Sequence, residues 1–123
     1  MKITSVTATA VSVPRVQSFL SSLGTHTHTE NAVVEITTDE GITGFGEAAS
    51  VWERKGRGEA ELINNALADV VVGTDPFCIN QTVELMNQRL DDAWPAKSGI
   101  EMALFDIVGK ALGRPVYDLL GGR

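Results

Sequence analysis

Two histidines in the stretch THTHT, residues 25–29, are the side chains whose type and spacing most directly suggest chemistry. His26 and His28 are two positions apart, so on a β-strand both would point to the same side of the sheet. Such a pair can share a metal ion when a third ligand, here Glu30, lies nearby. The alternative is an exposed loop or strand start in which both histidines are polar surface residues. We favour this alternative because the chain has only two histidines and no further ligand cluster.

Three other groups of residues could bind or react with a ligand, and each has a simpler interpretation. The glycines of GITGFGEA follow a hairpin turn and lack the strand, loop and helix context of a phosphate-binding loop. The basic residues Arg54, Lys55 and Arg57 could hold an anionic substrate, although a solvated charge run is more common. Asp106 could be a buried acid or a paired carboxylate. With no nucleophile elbow, CxxC pair or Walker motif, the sequence predicts no catalytic constellation.

The composition excludes several classes of partner. Sixteen acidic residues against ten basic residues give a net charge of -6, which would repel a nucleic-acid backbone. The single Cys78 predicts a buried structural thiol in a reducing compartment. The N-terminal run MKITSVTATAVSV alternates like a strand and is neither a signal peptide nor a membrane span. We therefore expect a cytoplasmic protein with neither a nucleic-acid nor a membrane partner.

The first half of the chain is predicted to form a three-stranded antiparallel meander. The predicted strands are residues 2–13, 32–38 and 42–48, the first ended by Pro14 and the last two joined by the turn Asp39-Glu40-Gly41. Gly44 and Gly46 fall on one face of the last strand, where they would let a helix or another backbone come close. Residues 15–30 and 49–58 are predicted to be loops, and long loops in compact domains are usually functional or mobile.

The second half of the chain has helical periodicity. The first predicted helix begins at Glu59 and ends at Gly73. The second has an N-cap candidate in the segment TDPF, ahead of Pro76, and carries the apolar positions Ile79, Val83, Met86 and Leu90. The third follows Trp94-Pro95 and stops at Gly113. Strands followed by helices indicate an α+β fold rather than alternating α/β units.

Two segments resemble a known family. The hairpin TTDEGITGFGEA and the stretch AKSGIEMALFDIVGKALGRPVYDLLGGR are similar to the N-terminal domain of the enolase superfamily, in its mandelate racemase and muconate lactonizing branch. AKSGIE and LGRPVYDLLGGR resemble muconate cycloisomerase-like members most. The resemblance implies a capping domain over residues 1–95, with residues 96–123 leading into a (β/α) barrel that would follow Arg123. Leu119 and Leu120 would then pack against that barrel.

The resemblance implies the chemistry of a parent enzyme. In this family a base removes the α-proton of a small carboxylate substrate, and Mg²⁺ (or Mn²⁺) stabilises the enediolate that forms. The metal ligands and the base would lie in the barrel, so the chain alone is expected to be inactive, with no catalytic or metal-binding residue. The parent is expected to be an isomerase and a homo-oligomer. Alternatives are an acid-sugar dehydratase, a dipeptide epimerase, an o-succinylbenzoate synthase, or a free-standing non-enzymatic binding module.

The family's two capping loops correspond to Arg15–Thr29 and Ala49–Gly58 here, and they imply a site in this chain. Such loops close over the barrel, exclude water and contact the distal part of the substrate. The resemblance identifies four candidate substrate-binding side chains: Phe19, His26, Val51 and Trp52. The alternative for each is ordinary loop packing.

Overall fold

The computed structural model describes residues 1–49 and 54–122 and has the predicted α+β architecture. Three antiparallel strands form one sheet in the order β1-β2-β3, followed by helices. The elements are β1 (Ile3–Ser21), β2 (Gly24–Thr38), β3 (Thr43–Ala49), α1 (Lys55–Leu62), a π-helical turn (Ile63–Leu67), α2 (Ala68–Val71), α3 (Ile79–Arg89), α4 (Trp94–Leu112) and α5 (Val116–Leu119). In the described ranges no helix has the length and apolar character needed to cross a membrane.

The predicted loop over residues 15–30 is wrong, because this segment continues β1 and β2 as a long hairpin. The strands stay paired to Ser21 and Gly24, with a register irregularity between Pro14 and Phe19. Most side chains here are exposed on both faces, so the segment lacks the apolar alternation that marks a half-buried strand. We call residues 13–30 the hairpin arm.

Pro14 does not end β1, and its position in the sheet explains why. Ala8 directs its N–H and carbonyl towards the open edge of the sheet, where the Asn64 amide binds both at 2.8 Å. The register is continuous from Val6 to Pro14, so Pro14 faces the same edge as Ala8. A proline at an outer edge removes no hydrogen bond from the sheet.

The close approach of α4 to β3, predicted from the strand glycines, is confirmed. A Cβ on Gly44 would overlap the carbonyl oxygen of Ala103, and a Cβ on Gly46 would overlap the carbonyl oxygen of Gly99. The helix side of the contact is equally tight, because a Cβ on Gly99 would lie 2.9 Å from Cγ2 of Val34. The surrounding core contains side chains from all three strands and from the helices, among them Ile3, Ile36, Ile63, Leu67, Met86, Ile100, Leu104 and Ile107.

Two helix starts and one side-chain environment differ from the predictions. Helix α1 begins at Lys55 rather than Glu59. Helix α3 begins at Ile79, beyond Pro76, so the segment TDPF does not provide its N-cap. The Thr74 hydroxyl instead donates to the carbonyl of Val71, the last residue of α2, at 2.7 Å. Cys78 is the N-cap residue of α3, and its side chain is exposed rather than buried. The predicted stop of α4 at Gly113, in a left-handed conformation, is confirmed.

Helix side chains bind backbone groups on both outer edges of the sheet. On β1 the Asn64 amide pairs with the Ala8 peptide groups. On β3 the Asp106 carboxylate accepts the N–H of Phe45 at 2.8 Å, and the Lys110 ammonium donates to the carbonyl of Thr43 at 2.7 Å. At these positions the edge backbone groups are already bound, which limits pairing with another chain, the usual liability of a small open sheet.

We expect Gly46→Ala to destabilise the protein by about 3 kcal/mol or more, because the added methyl meets backbone atoms of α4 that cannot rotate away. Urea unfolding followed by circular dichroism measures the loss. Val33→Ala is the control, because Val33 is partly exposed and lies next to the buried Val34, on the other face of the sheet. Equal losses in the two variants would contradict the proposed close contact.

We expect Asn64→Ala to lower the free energy of unfolding by about 1–3 kcal/mol, because it removes both partners of the Ala8 peptide groups. Its neighbour Asn65 is an exposed asparagine in the same π-helical turn and provides a matched control. Asn65→Ala should change the free energy of unfolding by less than about 0.5 kcal/mol. If urea unfolding gave the same value for both variants, Asn64 would not stabilise the sheet edge.

Candidate substrate-binding cleft

A concave surface with polar and apolar lining lies between the hairpin arm, the end of β3 and the start of α1. The cleft has a volume of about 510 Å³. It is lined by Arg15, Phe19, Leu23, Thr25, His26, His28, Thr29, Glu30, Asn31, Ala49 and Lys55. The arm side of this surface is built by the cross-strand pairing of β1 and β2, and Ala49 and Lys55 complete the lining. A cleft of this size with apolar and polar groups could hold part of a small molecule.

Phe19 and His26, two of the predicted site residues, lie together in the cleft. They are partners in the register of β1 and β2, and their ring centroids are 6.1 Å apart in a stacked arrangement. The Nε2 atom of half-buried His26 is 2.8 Å from the Ser21 hydroxyl, which fixes the orientation of the imidazole. These contacts show how the two side chains are positioned, and their role in binding a substrate stays a prediction.

His28 lines the same cleft as His26, but the two histidines have different partners. The Nδ1 atom of His28 is 2.9 Å from the hydroxyl of its neighbour Thr27. Over the described ranges, no group of three or more His, Cys, Asp or Glu residues could hold a metal ion. The arrangement of THTHT therefore offers two separate polar contacts in one cleft.

The three basic residues near α1 each pair with an acid. Lys55 lies 3.2 Å from Glu30 across the cleft. Arg54 lies 2.7 Å from Asp92, and Arg57 lies 3.2 Å from Glu61 on the same helix. These pairs reduce the capacity of the basic run to hold an anion.

Arg15 lines the cleft and was absent from the predicted site residues. Its guanidinium carbon lies 5.7 Å from the centroid of the Phe19 ring. Residues 15–30 were predicted to be a loop. Without the register of β1 and β2, the sequence did not indicate that Arg15, Phe19 and His26 lie together. Val51 and Trp52, the other two predicted site residues, lie outside the described residues.

A second surface of interest is an apolar groove along α4 and α5. It has a volume of about 470 Å³ and is lined by Phe45, Ser98, Glu101, Met102, Phe105, Asp106, Val116 and Leu120. Leu120 is 66% exposed and Phe45 is 50% exposed. Adjacent exposed apolar side chains of this kind commonly mark a surface that another structural element covers.

Two buried charged residues lie outside the cleft and have other environments. Lys97 is 4% exposed, and its ammonium group donates to the Asn87 side chain at 2.9 Å and to the carbonyl of Leu90. Lys97 thus joins α4 to the end of α3. Glu59 is 1% exposed, and its Oε2 atom has no hydrogen-bond partner within the described part of the chain.

The fold of this chain matches that of a known family of N-terminal domains. The profile of the mandelate racemase / muconate lactonizing enzyme family, N-terminal domain, matches residues 3–121. The chain therefore belongs to this family of the enolase superfamily, which confirms the resemblance seen in the sequence.

Relatives with different activities share this domain. The N-succinyl-L-Arg/Lys racemase of Bacillus cereus is 32% identical over 126 residues, covering 100% of this chain and 34% of the racemase. Its crystal structure has a TM-score of 0.94 to this chain. The hydrophobic dipeptide epimerase of Enterococcus faecalis is 34% identical over 125 residues, covering 99% of this chain and 35% of the epimerase. A crystal structure of a dipeptide epimerase from that organism, complexed with Mg and L-Leu-L-Tyr, has a TM-score of 0.92.

A third relative has a different type of reaction in its name. The D-galactonate dehydratase of Xanthomonas campestris is 47% identical over 94 residues, covering 72% of this chain and 24% of the dehydratase. The chain spans about a third of the length of the racemase and of the epimerase. The family therefore includes enzymes that catalyse several different reactions.

Proposed function

We propose that this chain is the substrate-capping and specificity domain of an enzyme that removes the α-proton of a small carboxylate substrate. The observation that carries the proposal is the match of the N-terminal domain profile over residues 3–121. In this proposal residues 1–95 form the cap, and residues 96–123 form the helix and turn that lead into a (β/α) barrel. The parent enzyme is an isomerase, such as a racemase, an epimerase or a muconate cycloisomerase-like enzyme.

The proposed metal is Mg²⁺ or Mn²⁺, held by the barrel. The support is the epimerase structure complexed with Mg. The described residues do not fit a metal site, because none of their acidic and histidine side chains form a group of three. When bound, the metal supplies positive charge that stabilises an enediolate. This chain's own contribution is to cover the substrate, exclude water and contact its distal part.

The apolar groove favours an enzyme domain over a free-standing binding module. Phe45, Met102 and Leu120 are exposed side by side in this chain. Leu119 is half-buried and Leu120 is largely exposed, so neither is fully covered by the described part of the chain. A barrel packed on this groove would bury these side chains.

The parent is expected to be a homo-oligomer in the cytoplasm.

A dehydratase is the second candidate, and the 47% identity to a D-galactonate dehydratase favours it. An o-succinylbenzoate synthase is a further alternative within the superfamily. These reactions share the first step, loss of the proton next to a carboxylate, and differ in the later fate of the enediolate.

Hydrogen exchange at the α-carbon tests the proposed function directly. The coding sequence is first read beyond codon 123, where we expect a barrel to follow. The full-length protein is then incubated with Mg²⁺ in D₂O and with N-acyl amino acids, dipeptides, sugar acids and muconate, each monitored by NMR. We expect deuterium to replace the α-proton, or product to form, for one class of substrate. A stop codon at that point, or no reaction with any class, would refute the proposal.

The predicted role of Trp52 is tested by Trp52→Ala in the full-length enzyme. If Trp52 contacts the distal part of the substrate, the order of substrates ranked by kcat/KM should change, with shifts of about tenfold or more. Trp94→Ala is the matched control, because Trp94 is the other tryptophan and begins α4, away from the cleft lining. If the order of substrates by kcat/KM were the same in Trp52→Ala as in the wild type, Trp52 would only pack within its loop and would not contact the substrate.

A further inference from the structure

The first turn of α1 packs directly on the backbone of β2. Gly56 is buried, and a Cβ added to it would lie only 2.1 Å from the carbonyl oxygen of Asn31 and 2.7 Å from its nitrogen. Both atoms belong to the main chain, so they cannot rotate away from a larger side chain. A glycine is therefore needed for α1 to begin in this position.

Asn31 is the residue at which β2 leaves the core. It is 9% exposed, Ala32 on one side of it is fully buried, and Glu30 on the other side is exposed. The Asn31 side-chain amide also donates to the carboxylate of Glu47 on β3. The contact with Gly56 thus holds β2 at the last buried residue before the hairpin arm.

A strained residue lies next to this contact. Lys55 immediately precedes Gly56 and has a φ of 50°, a left-handed conformation that is uncommon outside glycine. Such a conformation persists only where the surrounding structure imposes it. The Lys55 ammonium also lies 3.2 Å from the carboxylate of Glu30. The main chain and the side chain of Lys55 thus both hold the start of α1 against the end of the core part of β2.

Further from the core, the pairing within the hairpin arm is interrupted. Residues 15–18 of β1 lie opposite Thr27 alone. Extra residues in one strand disrupt the ladder of hydrogen bonds and bend the strand. We call the part of the arm next to the core (residues 13–14 and 28–30) the arm base, and the part beyond the interruption (residues 19–26) the arm tip.

We propose that the first turn of α1 anchors the arm base, so that the arm bends at residues 15–18 and not where it leaves the core. The cleft then has one wall of fixed position, formed by the start of α1 and the arm base, and one adjustable wall, formed by the arm tip. The tip moves as a unit, because Phe19 stacks on His26 and His26 lies 2.8 Å from the Ser21 hydroxyl. This inference concerns the fold of the chain alone and does not depend on the reaction of the parent enzyme.

Hydrogen exchange of the full-length protein tests this proposal without a substrate. Mass spectrometry with fragmentation follows the exchange of single backbone amides. In the wild type, the paired amides of the arm base should exchange about 100-fold or more slowly than those of the arm tip, with an abrupt change at residues 15–18. A base that exchanges as fast as the tip, or a gradual increase from base to tip, would overturn the proposal.

The variant Gly56→Ala separates anchoring of the arm from general stability. We expect exchange in the arm base to become about tenfold or more faster, because the added methyl displaces α1 from Asn31, while β3 and α4 keep their wild-type exchange rates. Equal acceleration in all segments, or an unchanged arm base, would contradict the anchoring role of Gly56. The wild-type exchange profile decides the proposal even if Gly56→Ala fails to fold.

Gly58→Ala is the matched control, because it makes the same substitution in the same helix. Among the described residues, a Cβ on Gly58 would meet only the side chain of Arg54 and no atom of β2. This variant should keep the wild-type exchange of the arm base. If Gly58→Ala accelerated exchange there as much as Gly56→Ala, the contact with Asn31 would not be the anchor.

Discussion

The packing of α4 directly on the backbone of β3 is the contact on which the rest of the structure depends. Gly44 and Gly46 on the strand and Gly99 on the helix leave no room for a Cβ between the two elements. The helix therefore lies close enough for Ile100, Leu104 and Ile107 to be fully buried. Interiors are packed too densely to absorb extra atoms at such a contact, so the glycines fix both distance and register.

The close contact also determines what the other side of α4 presents. With Asp106 and Lys110 held at the outer edge of β3, the helix cannot rotate about its axis without breaking these bonds. Its outward face then places Met102 beside Phe45 and Leu120, which together form the apolar groove. One set of glycines thus positions both the core and the apolar groove on which we propose that the barrel packs.

The sequence predicted the parts of the fold that the core determines, and it failed where no core lies beneath the chain. Gly44 and Gly46 were correctly assigned to a close approach because their spacing places them on one face of a strand. Pro14 was misread because edge and interior positions of a strand cannot be told apart without the register. Of the candidate site residues, Phe19 and His26 were brought together by cross-strand pairing, whereas Arg15 could be added only once that pairing was known.

The separation between core and hairpin arm has a consequence for specificity. Residues in the arm contribute little buried apolar area, so changing them should alter the cleft without a large loss of stability. The glycine contact between β3 and α4, by contrast, tolerates almost no change. Under the proposed function, a racemase, an epimerase and a dehydratase can share this domain because the residues that hold it together are different from those that face the cleft. In this chain the arm places the Arg15 guanidinium over the Phe19 ring, so changes to these two residues alter the cleft and leave the glycine contact as it is.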